Sequence, residues 1–398
     1  FSATLDLQTG TMLLDGTTGD LNMNGGTLTN GTLTDDGTGR YNFTTFSFGS
    51  GNATFNNIVL DTNLTVDNNN TLTLLNGLSF GASNPTLFLG GTNAGNLTLS
   101  GGQSITALGT GSIVMNPGVG TSNINGSGSL VSFIIGPNIT ISGFGSIIAS
   151  SSNSSFDNQG LISANLSGKT LNLTRVNNNA LGNFEAINGA TLDLNGVWSN
   201  AGQITATDST LSMVGTTGWT NTGTISILGS LVTNGSTLTT AGVWNNTGTL
   251  EVRDASTVNL GGSFTLSDFN NIGRDATSIT SNLITGGTLD LQTGTLLLDV
   301  TTGDLNMNGG TLKDGTLTDD GGGRYNFTAF SAGSGNATFD NVVLDANITV
   351  DNSNILTLLN GLTFGTSNPT ITLGNVGQGF LTLSGAQSLL GTGSIVMN

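Results

Sequence analysis

Hydrophobic and polar residues alternate in short runs along almost the whole chain. Typical runs are LDL at 5–7, LTV at 64–66, LTL at 72–74 and LNL at 171–173, and Gly, Asn or Asp follow within a few residues. A period of two, interrupted by frequent turn residues, is typical of short strands with one buried face. No Gly-free stretch shows the i, i+3, i+4 spacing of apolar residues that a capped helix needs. The pattern therefore predicts an all-β chain and no helix.

A long block of sequence occurs twice. The heptapeptide TLDLQTG returns unchanged, and residues 4–116 as a whole correspond to residues 288–398. The offset between the copies is constant up to Gln103, which corresponds to Gln387, and it is slightly shorter from Gly109, which corresponds to Gly391. Self-similarity on this scale is the sequence signature of a repeat architecture. We expect the chain to be a window on a longer array.

A finer repeat, aromatic-x-Asn-x-Gly, recurs across residues 156–273. The spacings of successive aromatic residues are 198 − 156 = 42, 219 − 198 = 21, 244 − 219 = 25 and 269 − 244 = 25, so one motif is missing near residue 177. In stacked coils we expect the rings to stack, the Asn amides to form a ladder and Gly to supply positive φ. The predicted stacking residues are Phe156, Trp198, Trp219, Trp244 and Phe269, with Asn158, Asn200, Asn221, Asn246 and Asn271.

These repeats predict one continuous β-solenoid over residues 1–398, with about 21–25 residues per coil. The W-x-N-x-G coils, the xLxLxxG strands and the duplicated blocks resemble the passengers of filamentous-haemagglutinin-like and autotransporter-type exoproteins. The resemblance implies a right-handed parallel β-helix, and it covers nearly the whole chain. The secretion domain and the carboxy-terminal barrel of such proteins have no counterpart in these 398 residues, so the resemblance does not assign a secretion route.

Composition excludes several classes of partner. There are 24 acidic and seven basic residues, and a net charge of −17 argues against binding to nucleic acid or to an anionic membrane surface. Cysteine is absent, which excludes disulfides, thiolate metal sites and thiol nucleophiles. No apolar run is long enough to span a bilayer, so we expect no membrane insertion in this segment. No signal peptide is recognisable, and we expect the natural N-terminus to lie upstream.

Residues suited to catalysis are sparse. The sequence contains no histidine, which removes the commonest general base and metal ligand. The densest acidic pairs, Asp35-Asp36 and Asp319-Asp320, lie in Gly-rich turns, where solvated turn carboxylates are the alternative to a catalytic pair. We expect no enzymatic activity, no cofactor and no metal.

Three further alternatives concern ligands. The tryptophans of the fine repeat could form a sugar-binding platform instead of a stacked core. Oxygen atoms of 61–63 and 67–70 could bind calcium, although Asn/Asp runs are ordinary turns. The pairs Arg40-Tyr41 and Arg324-Tyr325 could contact a ligand, or the Arg stems could pack over a neighbouring coil.

The sequence favours a structural function. We expect an extracellular or cell-surface fibre or adhesin segment, whose partners are glycans of a host or neighbouring cell, or other copies of itself. One alternative is a fibre or sheath subunit that stacks end to end. The other is a polysaccharide-processing β-helix enzyme, which would need an acidic cluster in a groove.

Overall fold

The computed structural model confirms the all-β prediction. It describes residues 3–38, 43–44, 52–229, 235–274, 282–300, 302, 305–321, 327–328 and 336–398. Strand accounts for 59% of the chain and helix for 1%, and parallel coils stack into a β-solenoid of about 15 turns. The chain divides into two compact units, Phe1–Thr205 and Ala206–Asn398, which we call the first unit and the second unit.

The first unit contains β1 to β22, and β23 crosses the boundary between the units. The strands are β1 (Thr4–Asp6), β2 (Thr11–Leu14), β3 (Leu21–Asn22), β4 (Thr27–Asp35), β5 (Phe43–Thr44), β6 (Ala53–Asp61), β7 (Leu64–Val66), β8 (Thr71–Phe80), β9 (Thr86–Leu89), β10 (Asn96–Ser100), β11 (Ser104–Ala107), β12 (Gly111–Met115), β13 (Asn123–Ser127), β14 (Ser132–Ile135), β15 (Ile139–Gly143), β16 (Gly145–Ala149), β17 (Ser155–Asn158), β18 (Leu161–Ala164), β19 (Thr170–Thr174), β20 (Val176–Asn178), β21 (Asn183–Ala186), β22 (Thr191–Asn200) and β23 (Gln203–Thr207).

The second unit contains the remaining strands and one helix. They are β24 (Thr210–Ser212), β25 (Thr216–Asn221), β26 (Thr224–Leu228), β27 (Thr237–Thr239), β28 (Val243–Asn246), β29 (Thr249–Val252), β30 (Thr257–Leu260), β31 (Ser263–Thr265), α1 (Leu266–Asn270), β32 (Ile272–Arg274), β33 (Asn282–Thr285), β34 (Thr288–Asp290), β35 (Thr295–Leu298), β36 (Leu305–Asn308), β37 (Gly310–Asp319), β38 (Phe327–Thr328), β39 (Ala337–Asp345), β40 (Ile348–Val350), β41 (Asn354–Phe364), β42 (Thr370–Leu373), β43 (Gly379–Leu383), β44 (Leu389–Leu390) and β45 (Ser394–Met397).

Three strand positions make up each coil of the first unit, and each strand pairs in parallel with its counterpart in the next coil. For example, β10 pairs with β13, β11 with β14 and β12 with β15. We call the faces that contain β10, β11 and β12 the first, second and third faces of this unit. Long strands such as β8 turn a corner, so that β10 and β11 both pair with it.

Inward residues pair with inward residues from coil to coil, and we call such a set a column. One column of the first face joins Leu72, Leu97, Ile124, Ile147 and Leu173. Each of these side chains is at most 1% exposed. A single coil cannot bury its apolar side, so the stacked neighbours provide the core.

Coil length varies because the corners vary. The step of this column from Leu72 to Leu97 lies within the predicted range, and the step from Leu97 to Ile124 is longer. The longer coil includes the turn at 117–121, where Val119 is 68% exposed. Extra residues are therefore accommodated in a solvent-exposed corner, and the pairing of the strands is unchanged.

Asparagine forms the corner between the first and second faces. Asn30, Asn57 and Asn76 have φ angles of 55°, 57° and 55°. Asparagine tolerates this left-handed region better than most residues. The Asn57 amide donates to Oδ1 of Asn30 at 3.2 Å, so the corner also carries a side-chain bond between coils.

The prediction of no helix is wrong at one place, because α1 is a five-residue helix. Thr265 caps it: Oγ1 of Thr265 accepts from the backbone N–H of Asp268, and the Asp268 carboxylate accepts from the backbone N–H of Thr265. This capping box is readable as T-x-x-D in the sequence, but the segment is too short for a helical period. No helix among the described residues is long and apolar enough to cross a membrane.

Candidate functional site

A ladder of buried asparagines runs along the second face of the first unit. Asn158, Asn178 and Asn200 pair in register in three successive coils. The Asn158 amide donates to Oδ1 of Asn178 at 3.0 Å, and the Asn178 amide donates to Oδ1 of Asn200 at 2.8 Å. All three residues are at most 1% exposed. Because buried amides without partners cost free energy, the ladder is what allows a polar residue in this column.

The asparagines also hold the corner between the second and third faces. Nδ2 of Asn158 donates to the carbonyl oxygen of Gly160 at 3.0 Å, and Nδ2 of Asn178 donates to that of Gln203 at 2.8 Å. In the preceding coil the same column position is Ile135. The column thus changes from aliphatic to polar at the coil where the side chains begin to bind backbone carbonyls.

Aromatic rings form a second column on the same face of the first unit. Phe133 pairs with Phe156, and their ring centroids are 5.0 Å apart at an interplanar angle of 33°. The next coil has Val176 opposite Phe156. Trp198, two residues before Asn200, is 3% exposed. The coil near residue 177 therefore keeps its asparagine, Asn178, and has valine in place of the aromatic residue.

The second unit contains a tighter aromatic stack. The rings of Trp219 and Trp244 are 5.0 Å apart at 9°, and those of Trp244 and Phe264 are 4.5 Å apart at 16°. Nε1 of Trp244 donates to the carbonyl oxygen of Gly261 at 3.0 Å, which satisfies the buried indole. Beside this stack, the Asn221 amide donates to Oδ1 of Asn246 at 2.8 Å.

The fifth motif lies elsewhere than the predicted stack. Phe264 occupies the position above Trp244, whereas Phe269 lies in α1 with the guanidinium carbon of Arg274 4.7 Å from its ring centroid. The Asn271 amide donates to the backbone oxygen of Asn246 at 2.8 Å instead of to a side chain. The aromatic column therefore continues through Phe264, although the sequence around Phe264 does not match the motif.

Sequence reasoning missed four members of these columns. Each lies one coil away from a predicted member of the same column, so the spacing of the coils was the signal that pointed to it. A search for a large apolar residue followed two positions later by Asn would have found Val176 and Asn178. Phe133 and Phe264 are followed at that position by Ile135 and Leu266, so only the coil spacing points to them. The four members are Phe133, Val176, Asn178 and Phe264.

The burial of the tryptophans bears on the sugar-platform alternative. Trp198, Trp219 and Trp244 are each 3% exposed. Stacking on a sugar requires an open ring face, and these residues do not offer one. Their placement fits a core column and leaves the platform without a surface.

The acidic pairs are engaged with their own turns. Oδ1 of Asp35 accepts from the backbone N–H of Gly37 at 2.7 Å, and Oδ1 of Asp319 accepts from that of Gly321 at 2.7 Å. Asp36 accepts from the N–H and the hydroxyl of Thr38 at 3.0 and 2.6 Å. These contacts are those of ordinary Asx turns.

A small cavity of about 230 Å³ lies beside Asp35, Asp61 and Asn63. Oδ1 of Asp61 accepts from the backbone N–H of Ser83 at 2.9 Å, and Oδ1 of Asn63 accepts from that of Thr86 at 2.8 Å. These oxygens link successive coils. Within the described residues, no three His, Cys, Asp or Glu side chains form a group that could hold a metal ion.

The other calcium candidate, 67–70, also joins successive coils. Asp67 accepts from the backbone N–H groups of Asn68, Thr92 and Asn93 at 2.7 to 2.9 Å. Burial acts to raise the pKa of Asp67, but these N–H groups lower it below its ordinary 3.8. Its counterpart Asp351 accepts from the N–H groups of Val376, Gly377 and Asn352, which lower its pKa too.

The pairs Arg40-Tyr41 and Arg324-Tyr325 lie outside the described residues, so the ligand-contact alternative for them stays a prediction. The amides, rings and carboxylates of the other candidates contact neighbouring coils or their own turns. Neither a protein-family model nor any curated protein matches this sequence.

Proposed function

We propose that this chain is a non-catalytic segment of an extracellular or cell-surface fibre that displays binding surfaces repeatedly. Its partners are glycans on a host or neighbouring cell, or other copies of the chain. The polar groups best suited to chemistry, the Asp and Asn side chains described above, are hydrogen-bonded to their own turns or to adjacent coils. This arrangement supports a scaffold more than an active site.

The observation that carries the proposal is that one outward surface is built twice. In the first unit, threonines pair from coil to coil in an outward column, and the second unit repeats it. The two columns are Thr27, Thr54, Thr73 and Thr98, and Thr311, Thr338, Thr357 and Thr382. Duplicated surfaces suit multivalent attachment, in which effective concentration supplies strength that one weak site lacks.

Large charged side chains placed in these columns test the proposal. Thr54→Arg and Thr338→Arg alter equivalent outward positions, and Thr140→Arg alters an outward position on the third face as a matched control. We expect each single variant to weaken attachment to glycan-coated surfaces, and the double variant to weaken it by a further factor of about 10² or more. Attachment that the double variant leaves unchanged would contradict the proposal, as would cleavage of a polysaccharide by the unaltered chain.

A further inference from the structure

One sheet of the second unit is interrupted between two consecutive coils. β26, β29 and β32 pair in parallel, one after another. β35 holds the corresponding place in the following coil, but it pairs with β37 and belongs to a different sheet from β32. The helix α1 lies directly before β32 in the chain. Among the described strands, β32 and β35 therefore lack the parallel pairing that joins strands of successive coils elsewhere.

A cavity of about 520 Å³ lies at this interruption. Cavities that bind small organic ligands have volumes of roughly 300 to 1,000 Å³, so this one is large enough for a single sugar ring. Phe269 of α1 and Arg274 of β32 contribute to its lining. Thr295 of β35 contributes as well, together with Asp299 and Thr302 in the turn that follows.

Arg274 is the cationic group of this cavity. Its Nη1 donates to the carbonyl oxygen of Ile272 at 2.7 Å, and its guanidinium lies over the ring of Phe269. Burial lowers the pKa of Arg274 to about 10, so the group remains charged at neutral pH. A guanidinium held in one orientation is well suited to a planar carboxylate, which it can bind through two parallel hydrogen bonds.

The other polar groups of the described lining are of a different kind. Oδ1 of Asp299 accepts from the backbone N–H of Thr302 at 3.0 Å, which orients the carboxylate. Carboxylate oxygens and threonine hydroxyls are suitable partners for the hydroxyls of a sugar. Since the described lining has one cationic and one anionic side chain, it does not favour a dianion such as phosphate. The combination fits a ligand with one carboxylate and several hydroxyls.

We propose that this cavity binds a hexuronate, a sugar ring that carries one carboxylate. The carboxylate pairs with Arg274, and the ring hydroxyls bind Asp299 and the threonines Thr295 and Thr302. The site goes beyond the scaffold function proposed above and does not depend on it. It also differs from the sugar platform considered for the tryptophans, because recognition rests on charge and hydrogen bonds and not on an open indole face.

Titration of the unaltered chain with sodium galacturonate, followed by NMR or calorimetry, tests the site. We expect saturable binding with a Kd of about 1 mM or below, and at least about tenfold weaker binding of galactose, which lacks the carboxylate. Arg274→Gln should weaken binding of galacturonate by about tenfold or more, and Arg274→Lys by less. Arg253→Gln, at a surface arginine paired with Glu251, should leave binding unchanged.

Because Arg274 also packs on Phe269, a second variant separates ligand binding from folding. Asp299→Asn should weaken binding of galacturonate while hydrogen exchange of the β29 and β32 amides stays unchanged. The proposal is overturned if galactose binds as well as galacturonate, or if Arg274→Gln binds normally. Absence of saturable binding up to about 10 mM would also overturn it.

Discussion

The two copies of the long repeat have nearly the same sequence but different neighbours. In the first unit the aromatic column of Phe133 and Phe156 lies on the face that contains β2, the second strand of the block. In the second unit the column of Trp244 and Phe264 leads directly into Leu289 of β34, the first strand of the block. The aromatic column is thus in line with the second strand of the block in the first unit and with the first strand of the block in the second unit.

The difference is accommodated by the size of a few inward residues. In the first unit the column that contains Leu99 narrows to Gly126 and then Ala149. A Cβ atom on Gly126 would lie 2.3 Å from the ring of Phe133, so the phenyl ring fills the space that glycine leaves. In the second unit Leu289 is instead the strand partner of Phe264 in the following coil.

The sequence of the block therefore does not specify which face of a coil each of its strands occupies. Strands of the block such as β7 and β10 present apolar residues inward and Thr, Asn or Ser outward, and this alternation suits each face of a coil. What differs is the residue beside which the block must pack. The neighbouring coil, and not the block, supplies the complementary shape.

The largest expected effect comes from removing the aromatic neighbour of the second copy. Trp244→Ala removes a ring that contacts both Trp219 and Phe264 and leaves a buried cavity, so we expect a loss of about 3 to 5 kcal/mol in the free energy of unfolding. Hydrogen exchange should show lost protection in β31 and β34. Protection in β1 and β4 should not change, and Trp244→Phe should restore part of the stability. If β31 and β34 keep their full protection in Trp244→Ala, the aromatic column does not stabilise the block.

Breaking the asparagine ladder should have the next largest effect. Asn178→Ala removes bonds to both Asn158 and Asn200, and we expect a loss of about 2 to 3 kcal/mol in denaturant unfolding. Asn246→Ala should cost less, because its amide Nδ2 has no hydrogen-bond partner among the described residues. Equal losses for the two variants would mean that bonding along the ladder does not determine the stability.

Substituting all three ladder asparagines by leucine tests whether their hydrogen bonds act as a set. When all members of a hydrogen-bonded set become apolar together, few groups are left unpaired. The triple variant with Leu at 158, 178 and 200 should therefore lose less than three times the free energy that Asn178→Leu alone loses. The aliphatic residue Ile135 in the same column shows that Leu-sized side chains fit there. Strictly additive losses would argue against this account.

Gly126 tests how the first copy meets its neighbour. Gly126→Ala places a methyl group against the Phe133 ring, and we expect a loss of about 1 to 3 kcal/mol in thermal or denaturant unfolding. The double variant Gly126→Ala with Phe133→Leu should lose less than the sum of the single changes. The control Gly101→Ala should not clash, since nothing lies near its Cβ position, although its positive φ of 80° adds strain.

Acid should weaken both copies alike, because Asp67 and Asp351 hold equivalent turns. Their pKa values in the folded chain lie below the ordinary 3.8. The stability that each contributes is therefore fully present above that pH and is lost as the pH falls through the lowered value. The pH dependence of the midpoint of urea unfolding between pH 5 and 2 should flatten in the Asp67→Asn, Asp351→Asn double variant. An unchanged slope would assign the acid sensitivity to other carboxylates.

The smallest effect is expected at Lys313, where the first copy has Thr29. Its ammonium group lies 2.9 Å from Asp314 and 3.8 Å from Asp290, and these partners raise its pKa. Exposed pairs of this kind contribute little to stability and are screened by salt. Lys313→Thr should shift the melting temperature only slightly at low salt and not at all in about 1 M NaCl. A large shift would show that this pair fixes the second copy.

Much of the fold was readable because each strand needs only local information. The alternation at 72–74 predicts an inward-outward pattern, and the spacing of Trp219 and Trp244 predicts that they fall on successive coils. Both hold, since a parallel stack repeats one local pattern. The members of the aromatic column were harder to predict from the sequence, because Val176 and Phe264 lie in the column without matching the motif.

The sequence by itself determined the all-β class and the inward or outward direction of most side chains, because these follow from a period of two and from turn residues. Only the tertiary structure decided which coil positions share a column and that Phe264, instead of Phe269, continues the aromatic column. It also decided that strand pairing between successive coils is interrupted beside Arg274. Those features depend on the register between coils, and register is fixed by corners whose length varies from coil to coil.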